Sequence, residues 1–284
     1  MEKRTLGKTG EQLSIVGFGG ILVSGVTPEQ SSEYVTYAVE ERGINYFDVA
    51  PTYGNAEEML GPALEPYRDQ VFLACKTGKR TAEEAEQELQ RSLEILRTDH
   101  FDLYQLHAVK TQQDVETILG PGGALETFVK ARERGLVRFL GFSAHSEEAA
   151  GALIDAFDFD SILFPFNWAC WHKNGFGSST LAKAQEKGMG ILALKTMAKR
   201  RWKEGEQRKW SKTWYSPVDT YEEASLAVRF TFSKPITAGP CPGHPELLTW
   251  MSDAADAFTP LTPEEDAKLA QKAQGVDPIF PQDY

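Results

Sequence analysis

The sequence predicts an α/β protein: a single (β/α)8 TIM barrel over residues 1–284, with a short N-terminal β-hairpin capping the barrel bottom. Three observations point there. Short apolar runs alternate with amphipathic stretches along the whole chain, the pattern of repeated strand–helix units. Eight such units fit the 284 residues at about 35 residues each, close to the size of one βαβ repeat. The alternative, an open dinucleotide-binding sheet, expects G-x-G-x-x-G after its first strand. Here Gly17-Phe18-Gly19-Gly20-Ile21-Leu22 carries leucine at the third glycine position.

The elements follow in chain order. Residues 5–14 read as a small hairpin with a glycine-containing turn, placed to plug the N-terminal end of a barrel. A first strand at 13–18 leads to a helix that opens at Pro28, with Thr27 as N-cap and proline in the first helical position. Gly43 hands that helix over to a second strand at 44–50, and a third follows at 71–75. The clearest helix spans 81–97, where Ala82, Ala85, Leu89, Leu93 and Leu96 share one face and Glu and Arg crowd the other. Further strands lie at 101–106, at 137–142 just after Gly135, and at 161–166, 190–194 and 235–238. Each is a β-branched or aromatic run bounded by glycine, proline or polar residues, as buried strands are.

Composition narrows the function classes. Forty-one acidic and 30 basic residues give a formal charge of −11, which disfavours nucleic acid and anionic membrane as partners. No apolar run reaches the roughly 18 residues needed to span a bilayer, and the charged start lacks a secretory h-region. Cys75, Cys170 and Cys241 are odd in number and far apart, which suits a reducing cytoplasm and excludes a disulfide framework.

In such barrels the chemistry sits at the C-terminal strand ends. Asp48 and Tyr53 follow the second strand, Lys76 the third and His107 the fourth, so three neighbouring strands deliver them to one rim. Taken singly, a strand-end lysine or a lone histidine is usually structural. Together they suit a single chemistry. An ammonium beside a phenol favours its ionisation, aspartate orients the ammonium, and histidine adds a hydrogen bond. That set can pass a proton to a carbonyl oxygen becoming an alkoxide.

The stretches Ile44-Asn45-Tyr46-Phe47-Asp48-Val49-Ala50-Pro51-Thr52-Tyr53-Gly54, Cys75-Lys76-Thr77, residues 91–107 and Gly141-Phe142-Ser143 resemble those of aldo-keto reductases, and the likeness spans almost the full chain. The resemblance implies NADP(H), or less often NAD(H), bound to the barrel without a Rossmann domain. It implies Tyr53 as general acid/base supported by Lys76, Asp48 and His107, acting on a small carbonyl compound. It also implies that Ser143 and Asn167 bond the nicotinamide carboxamide, that Gly20 and Ile21 line the cofactor cleft, and that Lys195, Thr196 and Met197 border nicotinamide and pyrophosphate. At the adenosine 2′-phosphate position this chain offers Cys241, Pro242, Gly243 and Leu247, with His244 the only candidate cation.

The stretch 199–212 holds seven basic residues against two acidic, with Trp202 and Trp210, and is expected to fold over a bound dinucleotide. Phe166, Trp168, Trp171, His172 and Phe176 are candidates for the substrate pocket mouth, and His145 and His172 could face the cavity. Two other readings compete: a cofactor-binding regulatory or scaffolding barrel with little or no turnover, and a metal-dependent barrel hydrolase. The latter lacks H-x-H and H-E-x-x-H spacing. Oligomeric state leaves no mark in the sequence.

Overall fold

A computed structural model describes residues 1–282. The chain opens with an antiparallel hairpin, β1 (Lys3–Thr5) and β2 (Gln12–Ser14), in the register Lys3–Ser14 and Thr5–Gln12. Eight parallel strands then follow, alternating with helices: β3 (Val16–Gly19), β4 (Tyr46–Asp48), β5 (Phe72–Thr77), β6 (Phe101–Val109), β7 (Val137–Ala144), β8 (Ser161–Phe164), β9 (Gly190–Ala193) and β12 (Gly239–Pro240). β12 pairs with β3 at one end of the row, and β3 to β9 pair in sequence order. The ring closes where the Ala193 amide donates to the Ala238 carbonyl and the Thr237 amide to the Ile191 carbonyl, both at 2.8 Å. A second antiparallel hairpin, β10 (Ala198–Arg201) and β11 (Tyr215–Pro217), interrupts the last repeat.

Local chemistry explains these elements. α1 (Pro28–Thr36) starts with a full capping box, in which the Thr27 hydroxyl accepts from the Gln30 amide and the Gln30 side chain accepts from the Thr27 amide. α3 (Ala82–Ile95) is capped by Thr81 and buries Ala85, Leu89 and Leu93 on the face anticipated from its spacing. Strands β5, β8 and β9 are buried at every position, because helices cover one face and the barrel interior the other.

Two apolar layers result. The larger lies between strands and helices. The smaller fills the barrel with Tyr46, Phe72, Leu103, Leu163, Leu192 and Ala238, and the hairpin adds Leu6 from below. Leu6 is fully buried, worth about 2 kcal/mol relative to an exposed leucine. Its seat requires Gly190, since a β-carbon there would lie 2.3 Å from Leu6 Cδ1. The hairpin therefore plugs the N-terminal end and leaves the opposite mouth for chemistry.

Candidate active site

Asp48 ends β4, Lys76 lies in β5, His107 in β6, and Tyr53 follows in the turn after β4. All four line one cavity of about 320 Å³ at the C-terminal mouth. The Lys76 ammonium donates to Asp48 Oδ1 and, at 3.3 Å, to the Val49 carbonyl. The same ammonium stands 5.4 Å from the Tyr53 ring centroid. The Tyr53 and His107 rings meet edge to face at 5.7 Å. The fold thus brings together the four side chains expected from the strand ends.

Two supporting residues are missed by sequence reasoning. Asp48 Oδ2 accepts from the Tyr46 hydroxyl at 3.0 Å and from the Gln105 side-chain amide at 3.1 Å. Tyr46 precedes Asp48 by two residues, and Gln105 precedes His107 by two, so each pair shares the interior face of its strand. That period is the signal that could have found them.

His107 is aimed by an irregularity in β6. Its pairing with β7 slips between Leu106 and Val109, and Ala108 takes a left-handed φ of 51°. The Ala108 amide donates to Ser143 Oγ at 2.7 Å, and Arg80 donates to the His107 carbonyl at 3.0 Å, which fixes the distortion. Thr52 Oγ1 stands 3.3 Å from His107 Nδ1.

Electrostatics inside the cavity departs from the simplest expectation. Burial raises the Tyr53 phenol above its ordinary value, outweighing the Lys76 ammonium, which acts to lower it. The resting phenol is therefore protonated at neutral pH. Burial opposes the Lys76 charge, but the Asp48 carboxylate and Tyr53 leave it above the usual lysine value. Burial, followed by the charge of Lys76, holds His107 well below the usual histidine range, so its imidazole is neutral.

Of the expected cofactor contacts, Ile21, Ser143, Lys195, Cys241 and Gly243 line the cavity. Ser143 Oγ accepts from Ala108 and keeps its own proton to donate. Gly20, Asn167, Thr196, Met197 and His244 do not line it. Asn167 is consumed as the N-cap of α7 (Trp168–Asn174): its oxygen accepts from the Ala169 and Cys170 amides, and its nitrogen donates to the Lys195 and Ala198 carbonyls. All four of its hydrogen-bonding sites are filled. His244 Nε2 accepts from the Lys212 amide at 3.1 Å, and burial followed by Lys212 lowers its pKa, so it offers no cation. Cys241 is buried, its thiol pushed up to about 12.

The basic stretch is mostly neutralised within the fold. Lys199 pairs with Asp219 and Glu223, Arg200 with Glu206, Arg201 with Asp277 at 3.7 Å, and Lys209 with Glu246 at 3.8 Å. Only its last member, Lys212, reaches the cavity, where its ammonium donates to the Leu22 carbonyl at 2.8 Å. Thr213, Trp214 and Tyr215 complete that wall.

The aromatic residues after β8 do not form the mouth. Phe176 stacks on Phe280 at 5.4 Å, and His172 bonds Asp266 at 3.0 Å. The mouth is instead built by Trp214, whose ring lies 5.9 Å from that of Phe280, and by His145, 5.1 Å from the same ring. Among the described residues no three His, Cys, Asp or Glu side chains gather as a metal site, and no helix is long and apolar enough to cross a membrane.

Comparison with known proteins agrees with this architecture. The sequence model of the aldo/keto reductase family matches residues 16–273. An aldo-keto reductase of Bacillus subtilis, YhdN, is 31% identical over 185 residues, covering 59% of this chain and 54% of that protein. L-galactose dehydrogenase of Arabidopsis thaliana is 26% identical over 216 residues, covering 70% and 66% respectively. The matched stretch thus spans between about half and two thirds of these relatives' length. The holo form of a Bacillus halodurans aldo-keto reductase shares the fold with a TM-score of 0.75, covering 96% of both chains at 24% identity. A family match running from the first barrel strand into the last helix makes this chain a member of the aldo/keto reductase family.

Proposed function

We propose that this chain is a cytoplasmic, NAD(P)H-dependent reductase of a small aldehyde or ketone, with Tyr53 as the proton donor. The observation that carries the reading is the convergence of Asp48, Lys76, Tyr53 and His107 on one cavity wall. Bound NAD(P)H would supply a hydride to the carbonyl carbon. The substrate oxygen lies within reach of the Tyr53 hydroxyl and the His107 ring. In this reading the Thr52 hydroxyl, 3.3 Å from Nδ1, donates to it, which leaves the neutral His107 ring its proton on Nε2 to give to that oxygen. Tyr53 passes its proton to the oxygen as negative charge develops, and the nearby Lys76 ammonium stabilises the phenolate left behind. Asp48, held by Tyr46 and Gln105, keeps that ammonium charged and in place.

The cavity lining also offers groups that suit a nicotinamide cofactor. The Ser143 hydroxyl has a proton for a carboxamide oxygen, and the Tyr215 ring offers a flat apolar wall. Gly243 keeps the wall thin where a β-carbon would crowd Lys212 Cβ at 2.9 Å. Lys212 lies at this end of the cavity and supplies a cation there for a phosphate, beside its bond to the Leu22 carbonyl. NADP(H) is the proposed cofactor, with NAD(H) the alternative. One such contact corresponds to about tenfold in affinity.

The test is Tyr53→Phe, assayed by cofactor oxidation over a carbonyl panel and by fluorescence titration with NADPH and NADH. Turnover should fall by at least about a hundredfold with cofactor affinity nearly retained. Wild-type turnover in the variant would remove Tyr53 from the mechanism. Cofactor binding without turnover of any carbonyl by the wild-type protein would favour a regulatory barrel.

A further inference from the structure

The proton relay leaves the cavity residue Lys195 unexplained. It follows β9 in a left-handed conformation, φ 67°, which costs a side-chain-bearing residue on the order of 1 kcal/mol or more. The surrounding structure enforces it: the Lys195 carbonyl accepts from Asn167 Nδ2 at 3.0 Å and from the Ala198 amide at 2.9 Å. Strain held this firmly aims a side chain. The ammonium lies 5.4 Å from the Tyr215 ring centroid and 5.7 Å from that of Trp214, facing the cavity.

No carboxylate accompanies it. Among the described residues the cavity lining contains three ammonium groups, Lys76, Lys195 and Lys212, against one carboxylate, Asp48, which already holds Lys76. Lys212 gives a proton to Leu22, whereas Lys195 is flanked by two aromatic faces and feels the Asp48 carboxylate only as a lesser influence than burial and Lys76. An ammonium removed from bulk water without a counter-charge is costly. Burial, with Lys76 as the next cause, pulls its pKa down to about 8. A bound anion would relieve both penalties. Aromatic walls on two sides suit an anion carried on an apolar or aromatic frame.

We propose that Lys195 is a substrate-anion subsite, so that the preferred carbonyl compound carries a carboxylate or similar anionic group paired with the Lys195 ammonium while its carbonyl oxygen lies at Tyr53. This rests on the reductase reading for the placement of the carbonyl, but the anion site itself does not.

Two measurements separate the claims. The first compares kcat/KM for 4-formylbenzoate and its uncharged isostere 4-formylbenzamide in wild-type protein, Lys195→Met and Lys195→Arg. The wild type should favour the carboxylate at least about tenfold, Lys195→Met should bring the ratio near one, and Lys195→Arg should restore part of it. A wild-type ratio near one, or a ratio unmoved in Lys195→Met, overturns the proposal. The second measurement needs no turnover. Benzoate and benzamide, which have no reducible carbonyl, are titrated against tryptophan fluorescence with and without saturating NADP+. Benzoate binding in the wild type, lost in Lys195→Met and absent for benzamide, supports the anion site even if no aldehyde is reduced. Lys195→Met that leaves benzoate binding intact but weakens NADP+ binding places the amine on the cofactor and overturns it.

Discussion

The side-chain amide of Asn167 donates to the main-chain carbonyl of Lys195 at 3.0 Å, tying the start of α7 to the strained residue after β9. Asn167 thus acts on the cavity from outside it. It caps a helix on one side and sets the backbone of a cavity cation on the other.

Replacing Asn167 with alanine should leave the Ala169 and Cys170 amides without their acceptor inside the fold. The expected loss is about 2–4 kcal/mol, combining a missing cap with unsatisfied buried groups. Asn167→Ser keeps an oxygen acceptor for the helix without burying a charge and loses the two-donor amide that bonds Lys195 and Ala198, so it should retain part of the stability. Urea denaturation of the two variants checks the order. Equal losses would show that the cap and the carbonyl contacts are not separable.

Lys76 and Asp48 are almost completely buried, so their pair matters for stability apart from its proposed role in proton transfer. Lys76→Met leaves the Asp48 carboxylate inside with only the Tyr46 and Gln105 donors, and should cost about 3–5 kcal/mol. Adding Asp48→Asn removes the stranded charge and should return much of that stability, though no carbonyl reduction. A double variant no more stable than Lys76→Met would mean that packing, and not the uncompensated charge, sets the loss.

The candidate site is legible in the sequence because its residues lie at strand ends, where local pattern and barrel topology together fix the destination of a side chain. Asp48, Lys76 and His107 need only the strand period and the rule that chemistry sits at the C-terminal mouth. What local pattern misses is non-local. The charge of residues 199–212 is excessive only within the segment; Asp219, Glu223 and Glu246, which neutralise part of it, lie outside. Asn167 reads as a polar group free to bind a ligand until α7 shows where its donors and acceptors go. The first strand expected at 13–18 is divided, because Ser14 Oγ turns back to the Val16 carbonyl at 2.7 Å and separates β2 from β3. The eighth strand is expected at 235–238, yet the ladder to β3 runs through Gly239 and Pro240. Neither residue type favours a strand, and only the closing of the ring selects them.

Acid should loosen this fold through its cavity histidines. His107 and His145 are both held neutral, in each case by burial first and then by surrounding cations: Lys76, Lys195 and Arg80 act on His107, and Lys195 and Lys110 on His145, whose value falls to about 3. In the unfolded chain each titrates near about 6.5. Below that pH the unfolded state takes up protons that the folded state refuses, so stability declines as the pH drops from about 6.5. For His145 the decline ends only near pH 3, where the folded form also accepts the proton. Each histidine contributes up to about 1.4 kcal/mol per pH unit within its window. The urea midpoint should therefore fall measurably between about pH 7 and about pH 5.5, before most carboxylates titrate. His145→Gln cannot take up that proton in either state, so its stability should fall less steeply over the same interval. Parallel slopes for the variant and the wild type would assign the acid sensitivity to groups other than His145, and with it weaken the picture of a cavity whose cations keep their neighbours uncharged.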